Sequence, residues 1–265
     1  MATLTENINK AIADFNGIKT AITEKGVPVA DTDGTETYAA AVKRVYAKGK
    51  ADELDAFWDA WQDGGNRTDY DHGFAGWTAN MAAFLKPKYD IHPTYAYMMF
   101  GKNKAITDLV EWCEDCGITL DFSNCTSLSY LLLSSTISRV GVIDAKKVYG
   151  LGSFLSGNNY LTTVDKVIMS SDGLQKFNTD SFSALNLENI TFDGVIGNNI
   201  WFHRCTKLTT ASLLSILTAL TKDSAKASGK TITLATAHKA KIEADTACTA
   251  QLNAAIAAGW TVAYA

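Results

Sequence analysis

The sequence predicts an α+β protein in four parts. These are an N-terminal helical hairpin or stalk over residues 1–47, an aromatic-rich helical cap over 48–117, a short irregular solenoid of degenerate repeats over 118–208, and a helix with a strand–helix–strand cap over 209–265. Three observations predict it. "FSNCTSL" (122–128) returns further along the chain as "FHRCTKL" (202–208), an echo that suits stacked units, each handing the same inward positions to its neighbours. Both ends of the chain show apolar residues at helical spacing, and the middle breaks into short aliphatic runs bounded by turn residues.

Composition bounds what such a chain does. Its 265 residues are 47% hydrophobic with three prolines, and mean hydropathy is −0.02, which is the profile of a chain that folds around a core. A net charge of −4 with dispersed lysines and arginines offers no electrostatic footprint for nucleic acid or an anionic membrane, and neither partner is expected. The first twenty residues lack the basic start and apolar run of a secretory signal, so synthesis in a bacterial cytoplasm without conventional export is expected. Five cysteines, an odd number, argue against a closed disulfide framework.

Leu4, Ile8, Ala11, Phe15, Ile18 and Ile22 alternate spacings of four and three, a heptad seam on a helix ending near Gly26. The seam pairs either with the second helical run, through Tyr38, Val42 and Val45, or with its own copy in a dimer or trimer. Leu4, Ile8, Phe15, Ile18 and Ile22 are the candidate self-association or attachment residues. In "ADELDAFWDAWQDGG", Leu54, Phe57, Trp58 and Trp61 share one helical face ahead of a double glycine. The segment that follows is irregular, with a strand expected at "YAYMMF". "AITDLVEWCEDCG" reads as a helix with Ile106, Leu109, Val110 and Cys113 inward and Gly117 beyond its end.

The repeat is an aliphatic residue, another three on and an apolar residue two after that: Leu128/Leu131/Leu133, Ile137/Val140/Val142 and Leu187/Ile190/Phe192, with Leu161/Val164/Val167 carrying one residue more. Phe122, Phe154, Phe182 and Phe202 supply a second inward element, and Phe122 with Leu128 is expected to match Phe202 with Leu208. Insertions such as "LSGNNY" and "MSSDGLQKFNTD" are expected to emerge together on one side. Beyond the repeats, "TTASLLSILTAL" is an amphipathic helix capped by Thr209 or Thr210. "TITL", a long helix closed by Gly259 and "WTVAY" then give strand, helix and strand.

The string from Leu187 to Leu220, "LENITFDGVIGNNIWFHRCTKLTTASLLSILTAL", resembles the closing repeat and helix of degenerate, BspA-type leucine-rich-repeat proteins of gut-bacterial phages. "DFNGIKTAITEKGV" with "TYAAAVKRV" resembles a helical module near the start of phage tail-fibre and head-fibre proteins. "LDAFWDAWQDGGNRTDY", "FAGW" and "FLKPKYDI" resemble the segment found between the two, the last one residue longer than usual. The resemblance implies a virion structural protein, a head or tail fibre or decoration, whose partners are other virion proteins, its own copies and a host-surface glycan or protein. It brings no catalytic residue. A bacterial cell-surface adhesin of the same repeat class is the alternative, which the missing export signal disfavours.

Individual residues support binding more than catalysis, with no cofactor or metal expected. "CEDC" (113–116) has metal-ligand spacing, but zinc asks for a second pair, and buried packing explains these cysteines as well. "DTDGTE" (31–36) lacks the later ligands of a calcium loop and reads as a turn. His72, His92, His203 and His238 show no paired spacing, and the many carboxylates suit a solvated surface. Trp58, Trp61, Trp77, Tyr95, Tyr97 and Trp201 could stack on sugar rings, although aromatics at helical spacing usually fill cores. The candidate partner surface is therefore Asn158, Asn159 and Tyr160 in one inserted loop, with Trp201, His203 and Arg204 near the last repeat.

Overall fold

The computed structural model describes residues 51–78 and 86–265. The seam of Leu4, Ile8, Phe15, Ile18 and Ile22, the second helical run and "DTDGTE" lie outside the described residues. Within them the protein is mixed α/β, with five α-helices and three small sheets and no closed barrel. In chain order the elements are α1 (Ala51–Trp61), β1 (Tyr95–Tyr97), α2 (Leu109–Cys116), β2 (Ser127–Ser129), β3 (Arg139–Asp144), β4 (Thr163–Ile168), β5 (Asn189–Asp193), β6 (Ile200–Phe202), α3 (Thr210–Thr221), β7 (Lys230–Leu234), α4 (Ala237–Glu243), α5 (Thr246–Ala257) and β8 (Trp260–Tyr264). The sheets are β1–β2, β3–β4–β5 and β6–β7–β8, and all their pairings are parallel. Parallel neighbours require a long crossover. Here the crossover is the far wall of a lap, so the chain runs round and returns beside itself.

The first wall is built on two left-handed corners four residues apart. They are His72 and Gly76, then Met98 and Lys102, then Tyr130 and Ser134, then Ser153 and Gly157, with φ between 48° and 71°. Aligned on these corners, Tyr70, Ala96, Leu128 and Leu151 point inward on one side, and Phe74, Phe100, Leu132 and Leu155 on the other; all are buried. Most of the corner residues are not glycine, a conformation that costs on the order of 1 kcal/mol or more each. Bonds between laps hold them there: His72 N–H donates to Tyr97 O (2.8 Å), Lys102 N–H to Leu133 O (2.7 Å) and Ser134 N–H to Gly157 O (3.0 Å). At Gly157 a Cβ would stand 2.5 Å from Leu133 Cδ1, so a larger residue would have to push that side chain aside.

The opposite wall starts from a second ladder. Ser138 N–H donates to Thr107 O, Thr162 to Ser138, Glu188 to Thr162 and Thr209 to Glu188. The residues just before these, Ile106, Ile137, Leu161, Leu187 and Leu208, are all buried. Hydroxyls reinforce the rungs: Ser138 Oγ donates to Thr107 O and Thr162 Oγ1 to Ser138 O, the same carbonyls that their own amides use. Thr94 and Thr126 repeat the device on the first wall. After each rung the chain forms β3, β4 or β5, or a helix in their place. Helix α2 takes that position before β3, its Val110 packing over Gly141, and α3 takes it after β5. There Ser212 Oγ and Ser215 Oγ accept the Ile190 and Phe192 amides, covering a sheet edge that would otherwise recruit another strand.

Several sequence expectations change in detail. Strands β3 and β4 both have the longer form, so Ile143 is buried and Val142 is 51% exposed; β5 is the short copy, with a register shift against β4 between Val164 and Val167. Phe122, Leu128, Phe202 and Leu208 are all buried but not equivalent. Phe122 to Leu128 matches Ala145 to Leu151, sharing an Asp turn in which Asp121 or Asp144 accepts the amide two residues on, whereas Leu208 belongs to the ladder of Leu187. The loops 156–160 and 171–179 lie before and after β4, at opposite ends of the strand, not on one side. In α2 it is Trp112 that is buried, while Val110 and Cys113 are half-buried. The long helix expected before β8 is two helices, broken where Asp245 caps α5.

The aromatic region is continuous with the laps, since the first ladder already joins Asp69 to Tyr95. Phe74 is its hub, with ring centroids 5.1–5.3 Å from Trp61, Trp77, Phe100 and Trp112. Trp58 and Trp77 are therefore core, and Trp61 is roofed by the Arg67 guanidinium 4.1 Å from its ring.

Candidate partner surface

The second ladder leads into a ridge, because the residues just before each buried aliphatic turn outward in register. One row is Ala105, Thr136, Tyr160, Asn186 and Lys207, and beside it run Lys104, Asn159, Leu185 and Thr206, interrupted by the buried Ser135. At about 4.8 Å per lap the five positions span roughly 19 Å. Cross-lap contacts fix the ridge: Asn186 Nδ2 donates to Asn159 O (2.6 Å), Lys104 Nζ to Ser134 O (2.5 Å), and the Lys104 ammonium stands 6.0 Å from the Tyr160 ring. Tyr160 is 56% and Leu185 50% exposed, an apolar centre between two lysines.

The structure divides the expected surface residues. Asn159 and Tyr160 are on the ridge. Asn158 is not on the surface: it is fully buried, its Nδ2 donating to Ser135 Oγ and Ile137 O while its Oδ1 accepts the Tyr160 and Leu161 amides. It joins two laps, as Asn103 does through Phe74 O and the Ala105 and Ile106 amides. Arg204 is exposed near the end of the ridge and pairs with Asp180 at 3.2 Å. Trp201 lies on the other wall, beside Thr233 of β7, and most of its surface is covered. His203 is half-buried, with Nδ1 enclosed and without a hydrogen-bond partner. Sequence reasoning missed Lys104, Leu185 and Asn186, whose signal is their place two or three residues ahead of a buried aliphatic.

The chemically reactive types are held quiet by their surroundings. Burial pushes the thiols of Cys113 and Cys205 up to about 12 and those of Cys125 and Cys248 to about 11, keeping them protonated. Cys205 Sγ donates to Phe182 O (2.6 Å). Among the described residues no three His, Cys, Asp or Glu side chains gather as a metal site, and no helix is long and apolar enough to cross a membrane. Arg139 is committed to Asp165 through a two-pronged pair (3.1 and 2.8 Å) across β3 and β4. What the arrangement offers is a firm surface of mixed polarity. Comparison with family models, curated proteins and solved structures finds no match to this chain.

Proposed function

We propose that this chain is a virion-associated structural protein of a bacteriophage. In this reading residues 1–47 attach it or join its copies, and a leucine-rich-repeat solenoid projects a binding surface. The observation that carries the reading is the division of labour in the laps. Leucines and phenylalanines pack between laps, buried asparagines and hydroxyls bond one lap to the next, and Tyr160 and Leu185 stand exposed on the ridge, outside that packing. The protein binds rather than catalyses, through the ridge, and its partner is another virion protein or a host-surface molecule.

Three experiments test this. Immunogold labelling of particles released by lysis should decorate them, and label confined to the bacterial surface would favour an adhesin instead. Particles carrying Tyr160→Ser with Leu185→Ser should adsorb to host cells more slowly while incorporating the protein normally. Unchanged adsorption would leave shell decoration as the role. Removal of residues 1–47 should reduce the sedimenting mass to that of a monomer; an unchanged oligomer would move the assembly surface elsewhere.

A further inference from the structure

The outward rows of the first wall carry a different chemistry from the ridge. Asp69, Tyr95 and Ser127 lie side by side in three successive laps, and so do Asp71, Tyr97 and Ser129. Tyr95 and Tyr97 alternate along β1, so both face outward, roughly 6.6 Å apart along the strand. Tyr97 is pinned edge-on from two sides, its ring centroid 5.4 Å from His72 in the lap before and 5.8 Å from Tyr130 in the lap after. Tyr95 is 39% exposed and Tyr97 less so, half-buried between its neighbours, while Asp69, Asp71 and His72 are open to solvent.

The ladder does not require this composition, because the same two positions in β2 are serines and the bonding continues past them. Ordered, exposed rings in one row are costly to leave in water, and they are useful to a ligand with an apolar face. The carboxylates narrow the ligand. Asp69 Oδ1 accepts the Asp71 amide, and Asp71 Oδ1 lies 2.6 Å from His72 Nδ1, so two acidic groups stand beside the rings. An apolar peptide would bury them without compensation. A polyanion would be repelled by them. A ring that offers C–H groups on its face and hydroxyl or amine donors at its edge satisfies both features. We propose that this wall is a carbohydrate platform for a pyranose glycan built of neutral or amino sugars, stacking on Tyr95 and Tyr97 and donating hydrogen bonds to Asp69 and Asp71.

The site lies on a different wall from the ridge, so the two proposals fail separately. The full-length protein would be screened on an array of neutral, amino and uronic glycans together with a tetralysine peptide, and hits measured by calorimetry. Neutral or amino glycans should bind. Tyr95→Ala and Asp71→Asn should each weaken that binding about tenfold, with melting temperature unchanged for the exposed Tyr95 variant, and Tyr160→Ser should leave it intact. The proposal is overturned by binding to no neutral or amino glycan, by preference for uronic glycans or tetralysine, or by full affinity in the Tyr95 and Asp71 variants.

Discussion

The rings of Phe182 and Phe202 stack 4.8 Å apart at an interplanar angle of 30°, although they precede rungs of unlike form, the strand β5 and the helix α3. Both are at most 1% exposed. Truncating either to alanine should cost roughly 3–5 kcal/mol, and the pair should couple by about 0.5–1.5 kcal/mol in a double-mutant cycle. Urea unfolding of the three variants measures both quantities. Additive losses would mean that the rings pack independently.

Asn158 and Asn159 are neighbours with opposite fates. Asn158→Ala leaves the Ile137 carbonyl and the Leu161 amide without their partner, at about 1–3 kcal/mol for each buried group. Asn159→Ala touches only exposed surface and should stay within about 0.5 kcal/mol. Equal losses in equilibrium unfolding would contradict the burial of Asn158.

Ser212→Ala should cost about 1–3 kcal/mol, because Ser212 Oγ accepts the Ile190 amide (2.9 Å) and donates to Glu188 O (3.0 Å). With Ser215→Ala added, hydrogen exchange at Ile190 and Phe192 should accelerate and the bared β5 edge should promote association. Unchanged protection of both amides would show that the helix covers the edge without these hydroxyls.

His238 has no exposed surface, and neither ring nitrogen has a hydrogen-bond partner. Burial above all pushes its pKa below the ordinary 6.5; the Cys205 backbone opposes this in part, and the charge of Lys241 adds a smaller push downward. The unfolded chain therefore takes up a proton as pH falls through about 6.5 while the folded chain resists, so stability declines below that pH and this group adds no slope above it. The urea midpoint should fall between about pH 7 and about pH 5, and His238→Leu should flatten that part of the profile. An identical profile in the variant would assign the slope to other groups.

Cys205, buried and with its thiol near 12, should resist thiol reagents in the native protein and react at once in denaturant. Half-buried Cys113 and Cys116 should label first. Mass spectrometry of partly labelled protein reads the order directly.

Much of the scaffold is legible in the sequence because local chemistry and fold agree. Gly117 closes α2 in the left-handed conformation, Thr209 caps α3, and the phenylalanines at 122, 154, 182 and 202 are buried as expected. The corners at His72, Met98 and Tyr130 are not legible, since nothing in those residue types asks for positive φ; bonds from the next lap impose it. Asn158 reads as surface because asparagine after glycine usually marks a turn, and only the neighbouring lap reveals the two bonds, to Ser135 Oγ and Ile137 O, that bury it. Val142 and Ile143 sit in one apolar run, so the choice of which turns inward depends on the pairing of β3 with β4. The ridge was half visible: Tyr160 announces itself, but its company with Lys104 depends on laps of unequal length.

Those unequal laps have a mechanical consequence. Successive corners of the first wall, His72, Met98, Tyr130 and Ser153, are separated by 26, 32 and 23 residues, yet each lap is joined to the next by the same kind of backbone bond, directed from lap to lap. Tension applied along the stack would load those bonds one lap at a time, like a zipper, instead of shearing many together. Each release would free about 8–11 nm of chain at roughly 3.4 Å per residue. A force–extension trace should then show small steps of uneven length in place of one large rupture, so that the molecule yields by paying out chain while the remaining laps stay folded.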